Sequence, residues 1–289
     1  MSTIESLEII DAQIHEPKPV APLTEEQQAH ATVFEVELAR EALDSVGVDI
    51  ALAVTSEAFI QVAAERYPGR FPGVVTFNHN SPDLATDAAR VRRSAIDVAG
   101  RALTGNWADA TLRPEFTAGR FEPLFAAAED VGLPLFTSTH GHCAVMGDVA
   151  ARHPGLTLII DHIGVRQHPV SPPTSEPWKT FPDLLQLARY PNVHVKLCGA
   201  PLLSEQNYPF DDVWPQLARL FDAFGVDRVM WGSDYTRMRM ADLPRGERPR
   251  RRGISYADSL NFLLRSDRLS FSDKKALLGG TARRVLKMS

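Results

Sequence analysis

Leu7-Glu8-Ile9-Ile10-Asp11-Ala12-Gln13-Ile14-His15 is the stretch on which the architecture turns. Its apolar run reads as a buried first strand over Leu7–Gln13. An open doubly wound sheet would follow such a strand with a glycine-rich turn that cradles a dinucleotide pyrophosphate. Here the strand runs out through Asp11–His15 without a single glycine, which turns the reading toward a closed parallel sheet.

Working outward, further apolar runs rich in Val, Ile, Leu and Phe recur at Ile50–Thr55, Gly73–Phe77, Gly100–Leu103, Leu133–Ser138, Leu156–His162, Val193–Cys198 and Arg228–Ser233. Continuous apolar runs, not alternating ones, are what parallel strands covered on both faces require. Between them lie stretches with helical spacing: Thr32–Val46, Ser56–Arg66, Leu84–Val98, Phe121–Val131, Val145–His153, Asp183–Arg189 and Asp211–Phe224. Ser259–Arg265 and Ser272–Leu286 close the chain, with Ser272 read as an N-cap. Gly132 and Gly155 stand where two helices would end. Alternating strands and helices predict an α/β fold, a (β/α)8 TIM barrel forming a single domain over residues 1–289.

The bulk numbers agree with a globular enzyme: 289 residues, 44% hydrophobic, 23% charged and a formal net charge of −5. That charge offers no reason to expect nucleic acid or an anionic membrane as partner. No run approaches the ~20 apolar residues of a membrane span. Met1–Glu8 lacks the basic start and apolar core of a secretory signal. Two cysteines, Cys143 and Cys198, predict reduced thiols, and the expectation is a cytoplasmic protein acting on a small molecule, with homodimerisation open. Two loops stand out: His168–Pro177 carries four prolines and Thr236–Gly253 seven arginines.

Chemistry in a parallel barrel gathers at the C-terminal ends of the strands. Polar residues fall there repeatedly: Gln13 and His15 after the first strand, Thr139-His140-Gly141-His142 after the fifth, Asp161-His162 after the sixth, and Ser233-Asp234 after the eighth. Gln13 and His15, two apart, share one face of their strand. Lys196 interrupts an apolar strand, where an unpaired ammonium would be costly, so if it points inward it pairs with a carboxylate or reaches substrate. Cys198, two residues on, reads as an inert buried thiol. Arg101, Arg113, Arg166 and Arg237 fall near the rim and could hold a carboxylate through paired hydrogen bonds. Arg248, Arg250, Arg251 and Arg252 read as a solvated loop face, and Trp107, Trp178 and Tyr235 as apolar walls.

In order and strand placement, Asp11–His15, Asp161-His162-Ile163-Gly164, Val195–Gly199, Met230–Tyr235 and the closing Gly280-Thr281-Ala282-Arg283-Arg284 resemble the amidohydrolase superfamily. More narrowly they resemble its amidohydrolase-related branch of sugar and dicarboxylate lactonases and zinc-dependent decarboxylases. The resemblance implies a His-x-His pair after strand one, histidines after strands five and six, and an aspartate after strand eight that activates water. His15, His162 and Asp234 match that pattern; Gln13 replaces the first histidine. At strand five either His140 or Ser138 holds the equivalent place.

The departure at Gln13 has a physical consequence, because a neutral amide is a poor zinc ligand. His15, His162 and Asp234, with His140 or His142, could still hold one divalent ion, zinc or manganese, and the branch also implies a metal-free route; the residues leave both open. The expected activity is hydrolysis of a lactone or similar cyclic ester of a small carboxylated or hydroxylated substrate. Asp234 would be general base, with His162 and His15, or a metal, polarising the carbonyl. Gln13, His140, Arg113, Arg166, Lys196 and Tyr235 are the candidate substrate contacts. The alternatives are a metal-dependent decarboxylase on the same barrel and a catalytically inactive binding barrel.

Overall fold

A computed structural model describes residues 7–17, 24–105, 110–167, 176–238 and 254–288. Eight parallel strands lie hydrogen-bonded in chain order: β1 (Ile10–Ile14), β2 (Ile50–Ala53), β3 (Gly73–Thr76), β4 (Asp97–Ala102), β5 (Leu135–Thr137), β6 (Leu158–Ile160), β7 (Val193–Cys198) and β8 (Val229–Gly232). The (β/α)8 TIM barrel expected from the apolar runs is what forms. Among the described residues, no helix is long and apolar enough to cross a membrane.

Side-chain alternation divides the core into two layers. Ile10, Ala12, Leu52, Val54, Val74, Ala99, Phe136, Ile159 and Met230 point inward and fill the barrel. Ile14, Ala53, Leu135, Leu158, Ile160, Val193, Val195, Val229 and Trp231 point outward, under the helices. This is the arrangement that makes both faces of every strand apolar and the interior a packed core.

The ring is completed between β8 and β1. The Asp234 N–H donates to the Gln13 carbonyl at 2.9 Å. Asp11 clamps the same seam: one carboxylate oxygen accepts from the backbone N–H groups of Gln13 (3.0 Å) and Ser233 (2.7 Å), and the other from the hydroxyls of Ser233 and Tyr256, the latter at 2.8 Å. Burial nevertheless pushes the Asp11 carboxyl up to about 6.

The outer helices follow the predicted order with altered ends. Helix α1 (Glu25–Val46) begins two turns before the expected Thr32, because Thr24 and Gln27 form a reciprocal capping box. Helix α2 (Glu57–Arg66) is capped by Ser56. Helix α3 (Leu84–Arg93) stops well short of Val98, since Ser94 turns extended and Asp97 already starts β4. Next come α4 (Leu112–Thr117), α5 (Glu122–Val131), α6 (Met146–Arg152), α7 (Phe181–Gln186), α8 (Trp214–Phe224), α9 (Tyr235–Met238) and α10 (Tyr256–Leu264). Gly132 ends α5 in the left-handed conformation as expected, whereas α6 ends at His153, ahead of Gly155. In the final stretch Ser270, not Ser272, caps α11 (Phe271–Lys275), and a π turn separates it from α12 (Thr281–Val285). Ser270 is the better cap because its hydroxyl accepts from the Asp273 N–H while Asp273 reaches back to the Ser270 N–H. Most of the proline-rich and arginine-rich loops, with Trp107, Arg248, Arg250, Arg251 and Arg252, lies outside the described residues.

Candidate active site

A register shift in β1 between Asp11 and Ile14 sets up the site. Strict alternation would send Gln13 outward with Asp11, since Ile10 and Ala12 face the barrel interior. The bulge inserts one extra residue, and bulges of this kind re-aim side chains beside active sites. Gln13 therefore turns inward along with His15, while Ile14 joins the outer layer.

Four other strands contribute to the site. Asp161 and His162 leave β6 in a tight turn whose residues His162 and Ile163 have φ of 53° and 56°. Positive φ is uncommon for any residue with a Cβ and a genuine outlier for a β-branched one such as Ile163. Asp234 leaves β8 at φ 52°, and His140 follows β5 at φ 45°. Lys196 of β7 points inward, completely buried.

The contacts form a continuous network. The Lys196 ammonium lies 2.7 Å from one Asp161 carboxylate oxygen and 4.3 Å from the centre of the Phe136 ring, and it donates to Gln13 Oε1. Arg101 binds the other Asp161 oxygen from two of its nitrogens at 3.0 Å. Gln13 Nε2 lies 3.3 Å from His15 Nε2 and 3.4 Å from His162 Nε2, and the amide is close enough to the Asp234 carboxylate to favour its ionised form. His15 Nε2 is 3.3 Å from Asp234 Oδ1, which has no hydrogen-bond donor among the described residues.

Gln167, which sequence reading passed over, orients His162. Its amide nitrogen donates to the carbonyls of His162 (3.2 Å) and Cys198 (2.9 Å), so its Oε1 is left facing His162 Nδ1 at 3.2 Å. An amide oxygen can only accept; Nδ1 carries the proton and Nε2 the lone pair. Gly199 makes room for this arrangement: its φ is 68°, and a Cβ there would run into Gln167 Oε1.

Burial sets the charge states. It pushes the Asp234 carboxyl up to about 7, against the opposing pull of Lys196, the Gln13 hydrogen bond and the Arg237 and Arg101 charges. His162 falls to about 3 and His140 to about 4, both chiefly through desolvation, and His15 drops well below its usual range for the same reason. Asp161 is the exception: although burial opposes ionisation, Lys196 and Arg101 hold it below the ordinary carboxylate range. At neutral pH the site thus contains neutral imidazoles, an ionised Asp161 and an Asp234 poised to gain or lose a proton.

The remaining candidates divide into near and far. His140 bonds the Ser138 hydroxyl at 2.8 Å, so both strand-five candidates sit together on this side of the mouth. Arg237 is close enough to act electrostatically on His15 and Asp234, and Arg166 on His140 and His142. Arg113, exposed on α4, pairs with His142 at 2.9 Å on the outer rim. Tyr235 does not line the mouth. It opens α9 after the left-handed Asp234, and its ring stacks on Tyr256 at 4.3 Å within the outer layer. Trp178 likewise packs edge-on against Phe181. Cys198 is buried with its thiol pushed further up, away from thiolate chemistry.

The amidohydrolase family profile matches residues 10–288. The chain belongs to the amidohydrolase family. Among curated relatives it is 35% identical over 106 residues to an L-fucono-1,5-lactonase of Burkholderia ambifaria, covering 36% of this chain and 34% of that protein. It is 37% identical over 99 residues to a 4-sulfomuconolactone hydrolase of Hydrogenophaga intermedia, covering 34% and 31%. The matched part is about a third of the length of these relatives. Among solved structures, a zinc-bound amidohydrolase of Burkholderia multivorans superposes with TM-score 0.74 at 20% identity over 98% of this chain and all of that one. The 5-carboxyvanillate decarboxylase of Sphingomonas paucimobilis does so with TM-score 0.58 at 16% identity, again over 98% of this chain.

That zinc-bound relative calls for a test of this family member's own donors. His162, Cys198 and Asp234 bring one ligand atom each within 4.8 Å of one another. Yet the space that His15, His162 and Asp234 share is filled by the Gln13 amide nitrogen, and the Lys196 ammonium stands directly behind it. Cys198 would have to lose a proton that burial holds tightly. A divalent ion here would displace a hydrogen-bonded amide and sit beside a fixed positive charge. The donor set does not fit a metal.

Proposed function

We propose that this chain hydrolyses a lactone or similar cyclic ester of a small, carboxylated or hydroxylated compound. The observation that carries the reading is Asp234: a carboxylate at the end of β8, lifted to about 7, with Oδ1 free of any donor among the described residues. A general base works best when its pKa lies near the working pH and a lone pair is free to take the proton. Water held against Oδ1 gives its proton to Asp234 as its oxygen adds to the lactone carbonyl. The ring C–O bond then breaks, and the departing oxygen takes that proton. His15, 3.3 Å from Oδ1, is placed to hold the water or the carbonyl oxygen. His162 takes a different part from the carbonyl polarisation expected for it, because its Nε2 lone pair accepts hydrogen bonds and does not donate them.

With the imidazoles neutral, the positive field of the mouth comes from Arg101, Arg237 and Arg166, which suits an anionic substrate. The names of the two curated relatives, a sugar lactonase and a sulfonated lactone hydrolase, support the same reaction class. A decarboxylase that relies on a metal is disfavoured by the donor set. An inactive barrel gives no account of a buried, proton-poised carboxylate. The test is turnover of a panel of sugar-acid and carboxylated lactones, followed by base uptake at constant pH. Hydrolysis of at least one, lost in Asp234→Asn, is expected. A folded protein that opens none of them, or that releases carbon dioxide from an aromatic acid instead, overturns the proposal.

A further inference from the structure

Two imidazole nitrogens that would help surround a metal ion, His15 Nε2 and His162 Nε2, converge on Gln13 Nε2, and the same amide acts on the third such donor, the Asp234 carboxylate. The other end of that carboxamide is anchored by the Lys196 ammonium, itself wholly buried against Asp161 and the face of Phe136. Lys196 and Arg101 together carry two positive charges against the single negative charge of Asp161. One positive charge is left over beneath the mouth, and the carboxylate facing it is Asp234.

We propose that Gln13 and Lys196 form an internal cation that takes the place of a catalytic metal. Lys196 is a positioning residue acting through the amide, and Gln13 is the group that meets the reacting atoms. A carboxamide whose oxygen accepts a charge-assisted hydrogen bond is a stronger N–H donor at its other end. In the resting state the Gln13 amide nitrogen stands between the Nε2 atoms of His15 and His162, beside the Asp234 carboxylate whose ionised form it favours. When water attacks, its proton moves to Asp234 and the carbonyl π electrons move onto oxygen. The carboxylate beside the amide is neutralised at the moment an oxyanion forms there. A Gln13 N–H then turns its hydrogen bond to the oxyanion, an interaction gained only as the transition state is reached. When the tetrahedral adduct collapses, the C=O reforms, the ring C–O bond breaks and the leaving oxygen takes the proton from Asp234.

The catalytic half of this inference rests on the lactonase reading; the claim that the cation excludes a metal stands apart from it. The deciding experiment therefore reads metal first. Protein purified without chelator is examined by elemental analysis and titrated with zinc by calorimetry, alongside Gln13→His, Lys196→Met and the double variant. Wild type is expected to hold well under about one tenth of an equivalent and to bind no zinc at micromolar concentration. The double variant, with the amide replaced by an imidazole and the ammonium removed, is expected to take up about one equivalent. One tight zinc per wild-type chain overturns the proposal whatever any substrate does, and wild type alone suffices for that reading if a variant fails to fold. With a lactone in hand, Lys196→Met is expected to lower kcat on the order of a hundredfold with KM nearly unchanged. It should also move the ascending pH limb upward, as loss of the cation that acts most strongly on Asp234 disfavours its ionised form. Loss confined to KM, with the limb in place, would reduce Lys196 to a structural role.

Discussion

Replacing Asp234 by Asn should cripple turnover and stabilise the fold, with the size of the gain set by pH. The carboxyl has an ordinary value of 3.8 in the unfolded chain and about 7 in the folded one, raised by burial. Below 3.8 it is protonated in both states and nothing is lost. Between 3.8 and about 7 the unfolded chain ionises while the folded chain keeps its proton, so each pH unit costs the native state about 1.4 kcal/mol. Above about 7 the loss is complete, a little over three units or about 4 kcal/mol. Asparagine keeps the shape and does not titrate. Equilibrium urea denaturation of both proteins should therefore show the variant's advantage growing by about 3 kcal/mol between about pH 5 and about pH 8, and flat beyond. An advantage that does not change with pH, or that shrinks as pH rises, would show that Asp234 ionises as easily in the barrel as in water. The general-base assignment would fall with it.

The same poise predicts that kcat/KM climbs about tenfold per pH unit on the acid side and levels off above about pH 7, with Asp234→Asn losing on the order of 10²- to 10⁴-fold; a profile flat through neutrality would count against it. Gln167→Leu should strand the carbonyls of His162 and Cys198, cost about 2 kcal/mol, and let the His162 proton distribute over both nitrogens; imidazole nitrogen shifts in NMR would show a single Nδ1–H tautomer only in wild type. Asp11→Ala removes the acceptor shared by Gln13, Ser233 and Tyr256 and should destabilise the chain by at least about 3 kcal/mol in urea; a loss under about 1 kcal/mol would mean that the β1–β8 seam holds without it.

Strand centres were legible because burial on both faces leaves a continuous apolar run, and all eight fell inside or across the predicted stretches. Their ends were read too long in β2, β5 and β6, where residues such as Thr55, Ser138 and His162 leave the ladder to form the mouth. β4 was read too short and α3 too long for a single reason. Asp97 and Val98 open the strand with no apolar run, so periodicity carried the helix through them. In the site, His15, Gln13, His162 and Asp234 were placed together because strand ends converge in any such barrel. For Lys196 the sequence leaves inward and outward both open; the cost of burying an ammonium gives a carboxylate partner only once the side chain points inward, as it does. Gln167 was not foreseen: it reaches His162 only because three successive residues, His162 to Gly164, adopt positive φ, and nothing in residue type at 162 or 163 announces that. Tyr235 is not a mouth residue because Asp234 turns left-handed and Tyr235 opens α9, which carries its ring onto Tyr256 in the outer layer.

These local departures bear on whether Gln13 is a relic of a lost metal centre or a working part. A relic relaxes toward apolar packing: leucine would fill the same volume without a buried amide to satisfy. Instead the chain keeps a carboxamide bonded at both ends, and a bulge in β1 that turns it inward. It keeps a buried ammonium that a hydrophobic side chain could replace at little cost, since buried ion pairs seldom add net stability. It also holds His162, Ile163 and Asp234 in a backbone region worth of order 1–3 kcal/mol of strain each for residues bearing a Cβ. These features add little to the stability of the fold, and they bring Gln13, His15, His162, Lys196 and Asp234 together beneath the mouth. Together they favour a centre whose positive charge is supplied by the protein itself.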